Sequence, residues 1–154
     1  MKEYLIEREQ WIDRPLESLF PFFSEARNLE ELTPQWLGFS LVPPLPDGVD
    51  RDTRIYYRLT LAGIPIRWRT RISQWDPPRG FVDVQERGPF ALWEHTHRFE
   101  ELGRGVLMID RVRYRLPLGP LGRLAHFLVV RSALTAIFDY RFVRIRDRFS
   151  HPSV

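Results

Sequence analysis

The sequence predicts an α+β fold in which a curved antiparallel sheet of about seven strands wraps around one long C-terminal helix, with two short helices after the first strand. Three observations predict it. Residues 119–147 carry apolar side chains at helical spacing, and most of the chain before them alternates like β-strand. The segments Asp76-Pro77-Pro78-Arg79-Gly80, Gly88-Pro89 and Gly103-Arg104-Gly105 then divide the alternating stretch into hairpins. A helix gripped by a curved sheet leaves an internal cavity, and cavities bind small molecules.

Residues 3–12 read as the first strand, and Asp13-Arg14-Pro15 ends it, with Asp13 placed to cap a helix start. Leu16, Leu19, Phe20 and Phe23 follow at helical spacing. Ser24 is then positioned to cap a second short helix holding Leu29 and Leu32, which stops at Thr33-Pro34. A short strand over 39–42 leads into the Pro- and Gly-rich loop 43–48. From Thr53 the alternation assigns faces. Ile55, Tyr57, Leu59 and Leu61 oppose Arg54, Tyr56, Arg58 and Thr60, while Ile66, Trp68, Thr70 and Ile72 oppose Arg67, Arg69 and Arg71, so the arginines are expected to face water. Strands over 81–87, 90–101 and 106–116 complete the sheet.

Pro120 suits the first turn of the closing helix, where its missing N–H costs nothing. Leu124, Leu128, Thr135, Phe138, Phe142, Ile145 and Phe149 recur at three- and four-residue steps, and this stripe is expected to bury itself, with Phe138 and Phe142 against the concave sheet. A second stripe of Phe127, Val130, Leu134 and Ile137 makes the first half apolar nearly all round, so a loop, a second copy of the chain or a membrane surface is expected over Phe127 and Val130. These residues and the 43–48 loop are also candidate gates. Arg141, Arg144, Arg146 and Arg148 read as a solvated helix end that complements the helix dipole, or as a contact for phosphate or an acidic partner.

Composition bounds the remaining classes. The 154 residues, 44% hydrophobic, form one domain over 1–150 with 151–154 as a flexible tail. The absence of cysteine excludes disulfides, thiolate catalysis and cysteine metal sites. Net charge is only +3, Lys2 is the sole lysine, and acidic residues are interspersed, so no DNA partner is expected. The N-terminus lacks the apolar run of a signal peptide and no stretch reaches ~18 uninterrupted apolar residues, which leads us to expect a cytoplasmic chain without a transmembrane segment. Gly-x-Gly-x-x-Gly, Walker and Gly-x-Ser-x-Gly patterns are all missing, so neither nucleotide-dependent chemistry nor serine hydrolysis is expected.

Turn geometry pairs the concave-face residues. A hairpin tip at Gly103-Arg104 sets His97 opposite Asp110, Phe99 opposite Met108, His95 opposite Val112 and Trp93 opposite Tyr114. The Gly88-Pro89-Phe90 turn sets Asp83 opposite His95 and Gln85 opposite Trp93, because the neighbouring register would oppose Asp83 to Glu94. The expected inner surface is therefore Asp83, Gln85, Trp93, His95, His97, Asp110 and Tyr114, backed by Tyr57, Trp68 and Thr70 and roofed by Phe138. Six polar groups there need partners, since each unpaired one costs ~1–3 kcal/mol. His95, His97 and one carboxylate could hold a metal, but two same-strand histidines without a third His or Cys give little basis for one, and neither metal nor cofactor is expected. His97, Asp110, His95 and Asp83 are candidate acid–base residues for an aldol-type cyclisation or dehydration. The third reading is a hydrogen-bonded network that orients a bound amphipathic ligand.

This order of elements is a helix-grip architecture. Trp11–Phe20, Ala26-Arg27-Asn28-Leu29, Leu32-Thr33-Pro34, Gly88-Pro89-Phe90 with Trp93, His95, His97 and Phe99, and Asp110–Pro117 with Gly119 together resemble the START-like (SRPBCC) superfamily, closest to its polyketide cyclase/dehydrase and lipid-transport branch. The resemblance implies a single ligand-binding domain for a lipid, isoprenoid or polyketide. It implies, as alternatives, a cyclase/dehydrase-like enzyme or an interaction protein acting on a larger assembly.

Overall fold

The computed structural model describes residues 1–150; the tail expected over 151–154 lies outside the described residues. Seven antiparallel strands run β1 (Glu3–Ile12), β2 (Ser40–Val42), β3 (Arg54–Leu61), β4 (Ile64–Asp76), β5 (Gly80–Arg87), β6 (Leu92–Leu102) and β7 (Gly105–Arg115), in the sheet order β1-β7-β6-β5-β4-β3-β2. Helix α1 (Leu16–Phe23) and 3₁₀ turns at Ala26–Leu29 and Gln35–Leu37 join β1 to β2. Helix α2 (Gly119–Phe149) closes the concave side.

The hairpin register follows from its turn. Gly103 at φ +62° supplies the left-handed residue of a two-residue tip, and His97 pairs with Asp110, His95 with Val112, Phe99 with Met108 and Trp93 with Tyr114. Across the next pair Asp83 lies opposite His95, and any Cβ at Gly80 would run into the His97 carbonyl, so glycine is what lets β5 approach β6 closely there. Period-2 alternation then divides the inner face into three bands. Phe99, Val106 and Met108 join Leu16, Leu19, Phe20 and Phe22 in one buried core; Val112 and Tyr114 join Leu134 and Phe138 in another. His95, His97 and Asp110 occupy the positions between.

Two local expectations are corrected and two gain detail. Asp13 does not cap α1: Pro15 occupies the cap position, and the Asp13 carboxylate instead lies 3.0 Å from Arg104. Ser24 ends α1, and Glu25 caps a 3₁₀ turn where a second α-helix was expected. Strand β4 contains a register shift between Ile72 and Gln74 that the simple alternation does not reveal, and it returns Trp75 to the inner face. The convex arginines face outward as expected, yet Arg54, Arg69 and Arg71 converge on Glu86 at 2.8, 3.6 and 3.4 Å.

The buried stripe of α2 is also displaced. Leu134, Phe138, Arg141 and Ile145 are buried, whereas Leu124, Leu128 and Phe142 are exposed. Phe142 is thus not against the sheet; its carbonyl accepts from Gln10 Nε2 at 3.0 Å at the β1 edge. One cause is a π-helical turn at His126–Val130, where the Arg131 N–H reaches the His126 carbonyl and rotates the two halves of the helix relative to one another. The other is that position 141 of the stripe holds a charged residue. By length and composition Gly119–Phe149 could cross a membrane, but its second half is committed to the sheet through Phe138, Arg141 and Ile145, and the expectation of no transmembrane segment stands.

Candidate functional site

Two joined chambers lie between the sheet and α2. The larger, about 210 Å³, is walled by apolar side chains including Leu59, Ile66, Trp68, Trp93, Leu134 and Phe138. The smaller, about 130 Å³, holds Tyr57, Thr70, Asp83, His95, His97 and Arg141. Tyr57, Trp93, His95 and Arg141 border both. The pocket is consequently apolar at one end and ionic at the other.

The ionic end is a closed network. His97 Nε2 lies 2.7 Å from Asp83 Oδ2, and His95 Nε2 lies 2.8 Å from Asp110 Oδ1. These short contacts are diagonal. The directly opposed pairs expected from the register are longer, 3.3 Å for His97 Nδ1 to Asp110 Oδ1 and 3.9 Å for His95 Nδ1 to Asp83 Oδ2. The two imidazoles stack with centroids 3.7 Å apart, and Phe81 covers the other face of His97. The Thr70 hydroxyl sits 3.3 Å from Asp83 Oδ1 and 3.1 Å from the Val84 carbonyl. Arg141 Nε stands 3.5 Å from Asp110 Oδ2, close enough for ion pairing though no aligned hydrogen bond forms.

Charge decides how this network is protonated. Burial is the largest influence on His97 and pulls its pKa down, but the carboxylates of Asp110 and Asp83 outweigh it and leave the ring above the ordinary histidine range. Burial also lowers His95, and the neighbouring His97 charge lowers it further, beyond what Asp110 and Asp83 restore. The two stacked rings titrate as a coupled pair in which His97 holds a proton more firmly than His95. Burial would raise both carboxyls, yet His97 and His95 hold Asp83 below the usual range, and Arg141 with both histidines holds Asp110 well below it. When His97 is protonated, its imidazolium and Arg141 balance the two carboxylates. Burial and the Asp83 charge keep the Tyr57 hydroxyl protonated. In an NMR titration His97 should titrate above and His95 below the ordinary value of ~6.5, and Asp83→Asn should bring His97 down. The stability His97 contributes is complete below that ordinary value and is lost as pH rises through its raised folded value.

A metal is sterically conceivable here, since donor atoms of Asp83, His95 and His97 lie within 4.8 Å of one another. Asp83, His95 and His97 are already engaged in imidazole–carboxylate contacts, and Arg141 supplies a fixed cation beside them.

Of the residues expected inside, Tyr57, Trp68, Thr70, Asp83, Trp93, His95, His97 and Phe138 line the chambers. Three do not. Gln85 turns to the β5–β6 turn and clasps the Phe90 backbone, accepting from its N–H at 3.1 Å and donating to its carbonyl at 2.8 Å. Tyr114 bonds His126 at 2.7 Å beside an outer groove, and burial pushes its pKa up to about 12. Asp110 lies behind the histidines, against Arg141. Residues 43–48 line neither chamber; Leu116, Val130 and Ala133 line the larger chamber, while Phe127 lies on the outer groove. Arg141 is the residue sequence reading missed. It is turned inward, and Arg144 and Arg148 pair with Glu31 at 3.6 and 2.9 Å, so the expected open arginine face does not form.

No protein-family profile and no curated protein matches the sequence. Solved structures do match in shape. TTHA0849 from Thermus thermophilus superposes with a TM-score of 0.65 at 20% identity, covering 95% of this chain and 97% of that one. Ara h 8.0201 gives 0.63 at 16%, covering 95% and 99%. A Thalictrum norcoclaurine synthase point mutant, in complex with a transition-state analogue, gives 0.67 at 13%, covering 96% of each. The chain thus has the START-like helix-grip fold.

Proposed function

We propose that this protein is a cytoplasmic binder of a hydrophobic or aromatic small molecule, such as a lipid, isoprenoid or polyketide, that carries at least one acceptor oxygen. One observation carries the reading: Trp68, which lines the apolar chamber, has a buried Nε1 that meets no protein acceptor. A buried donor without a partner is costly, and a carbonyl or hydroxyl on an otherwise apolar ligand would satisfy it. Burial of the ligand's apolar part at ~25 cal/mol per Å² would supply most of the affinity. Native mass spectrometry combined with solvent extraction of the purified protein tests this. A co-purified amphiphile, held about tenfold more weakly by Trp68→Phe with no loss of stability, is the expected result. Failure to recover a ligand, together with no saturable binding of apolar fluorescent probes, would reject it.

A second reading keeps the pocket and adds turnover, as in a cyclase or dehydrase. It is favoured by the two stacked imidazoles, whose pKa values are driven in opposite directions, His97 up and His95 down. One neighbour of the same fold is itself named as a synthase. Under this reading His97→Ala abolishes conversion of a bound polyketide while leaving its binding intact; loss of both together would favour the binding role.

A further inference from the structure

The first half of α2 is unusual for a water-facing helix. Leu121, Leu124, Phe127 and Leu128 are 67%, 53%, 74% and 62% exposed and fall at three- and four-residue steps along the helix. Beside them runs a groove of about 660 Å³ between β1 and α2, into which Lys2, Arg123 and Arg131 project. None of these three cations has an ion-pair partner among the described residues, although arginines on the adjacent sheet do: Arg8 with Asp139, Arg111 with Glu7, and Arg113 with Glu3 and Glu94. Glu7, the one carboxylate at the groove, is thereby engaged elsewhere. His126 at the groove floor is lowered by burial and by the nearby Arg131 and Lys2 charges, in keeping with a positive local potential.

We propose that this face docks on anionic phospholipid bilayers, with Leu121, Leu124, Phe127 and Leu128 entering the headgroup–acyl boundary and Lys2, Arg123 and Arg131 taking up lipid phosphate in the groove. The helix lies on the bilayer and does not cross it, because spanning would require withdrawing Arg141 and Phe138 from the sheet. Aliphatic and aromatic side chains flanked by unpaired cations are the complement of a surface that is apolar inside and negative outside. A second copy of the chain would bring the same cations together, which argues against a dimer here. The surface also abuts Leu116, Val130 and Ala133 of the larger chamber, so on the ligand-binding reading above the bilayer would meet the pocket mouth.

Co-sedimentation with vesicles of phosphatidylcholine alone, or mixed with phosphatidylglycerol, tests the docking without reference to any pocket ligand. Binding should require phosphatidylglycerol and decline with salt. Arg123→Gln and Arg131→Gln should each weaken it about fivefold, and Phe127→Ser/Leu128→Ser should weaken it while leaving the melting curve unchanged. Equal binding to both vesicle types, or none to either, would overturn the proposal. So would a stable dimer in light scattering that is lost in Phe127→Ser/Leu128→Ser. Competition by inorganic phosphate at matched ionic strength, with Phe127→Ser/Leu128→Ser binding normally, would identify a soluble-anion site instead.

Discussion

Arg141→Ala should cost about 3–5 kcal/mol in denaturant unfolding, far more than replacing an ordinary helix arginine, because it leaves the buried Asp110 carboxylate without its cation. The guanidinium also lies 5.7 Å from the centre of the Phe23 ring, so packing is lost with the charge. The pH dependence separates the two contributions. Asp110 is held well below the usual carboxyl range, so the stability it contributes is present above the unfolded value of ~3.9 and is lost as pH falls through the lower folded value. The gap between wild type and Arg141→Ala should consequently be full at neutral pH and narrow in acid. Asp110→Asn added to Arg141→Ala should recover part of the loss, since the uncompensated charge is then gone. A double variant no better than the single one would show that packing alone carries the effect.

Arg141 also marks where the sequence stopped being legible. The hairpin register and the inward face of His95, His97 and Asp110 follow from local chemistry, namely period-2 alternation and a Gly103-Arg104 tip, and both act over a few residues. The rotation of α2 depends on a π-helical turn and on a charge exchanged across the cavity, and neither leaves a local mark. Arginine at 141 looks like its neighbours at 144, 146 and 148. A signal was nonetheless present: Leu134, Phe138 and Ile145 are spaced so that position 141 completes their stripe, and two inward carboxylates with only two histidines lacked a full set of counter-charges. Gln85 and Tyr114 failed differently. Their backbones face inward as expected, but a long side chain can reach a turn or a sheet edge that strand parity does not describe. The diagonal His–Asp contacts have the same origin, because register places Cα atoms and side-chain length decides which partner is nearer.

Phe138→Ala should cost about 3–5 kcal/mol, the usual range for deleting a buried phenylalanine ring. The ring is 5% exposed, packs with Val112, Tyr114 and Leu134, and meets His95 edge-on at 5.7 Å. One side borders the larger chamber and the other a small void beside Asp110 and Arg141, so truncation would open the larger chamber into that void. Two further consequences follow. Water admitted beside His95 would relieve the burial that lowers its pKa, so the His95 titration should move up toward the ordinary value in Phe138→Ala. Phe138→Leu, which keeps most of the volume, should cost well under half as much and leave that titration nearly unchanged. Calorimetry and NMR titration of the two variants check both points. A stability loss below ~1 kcal/mol in Phe138→Ala would mean that the ring is not a packed element of the core; a full loss with an unmoved His95 would mean that other groups seal the histidine pair from water.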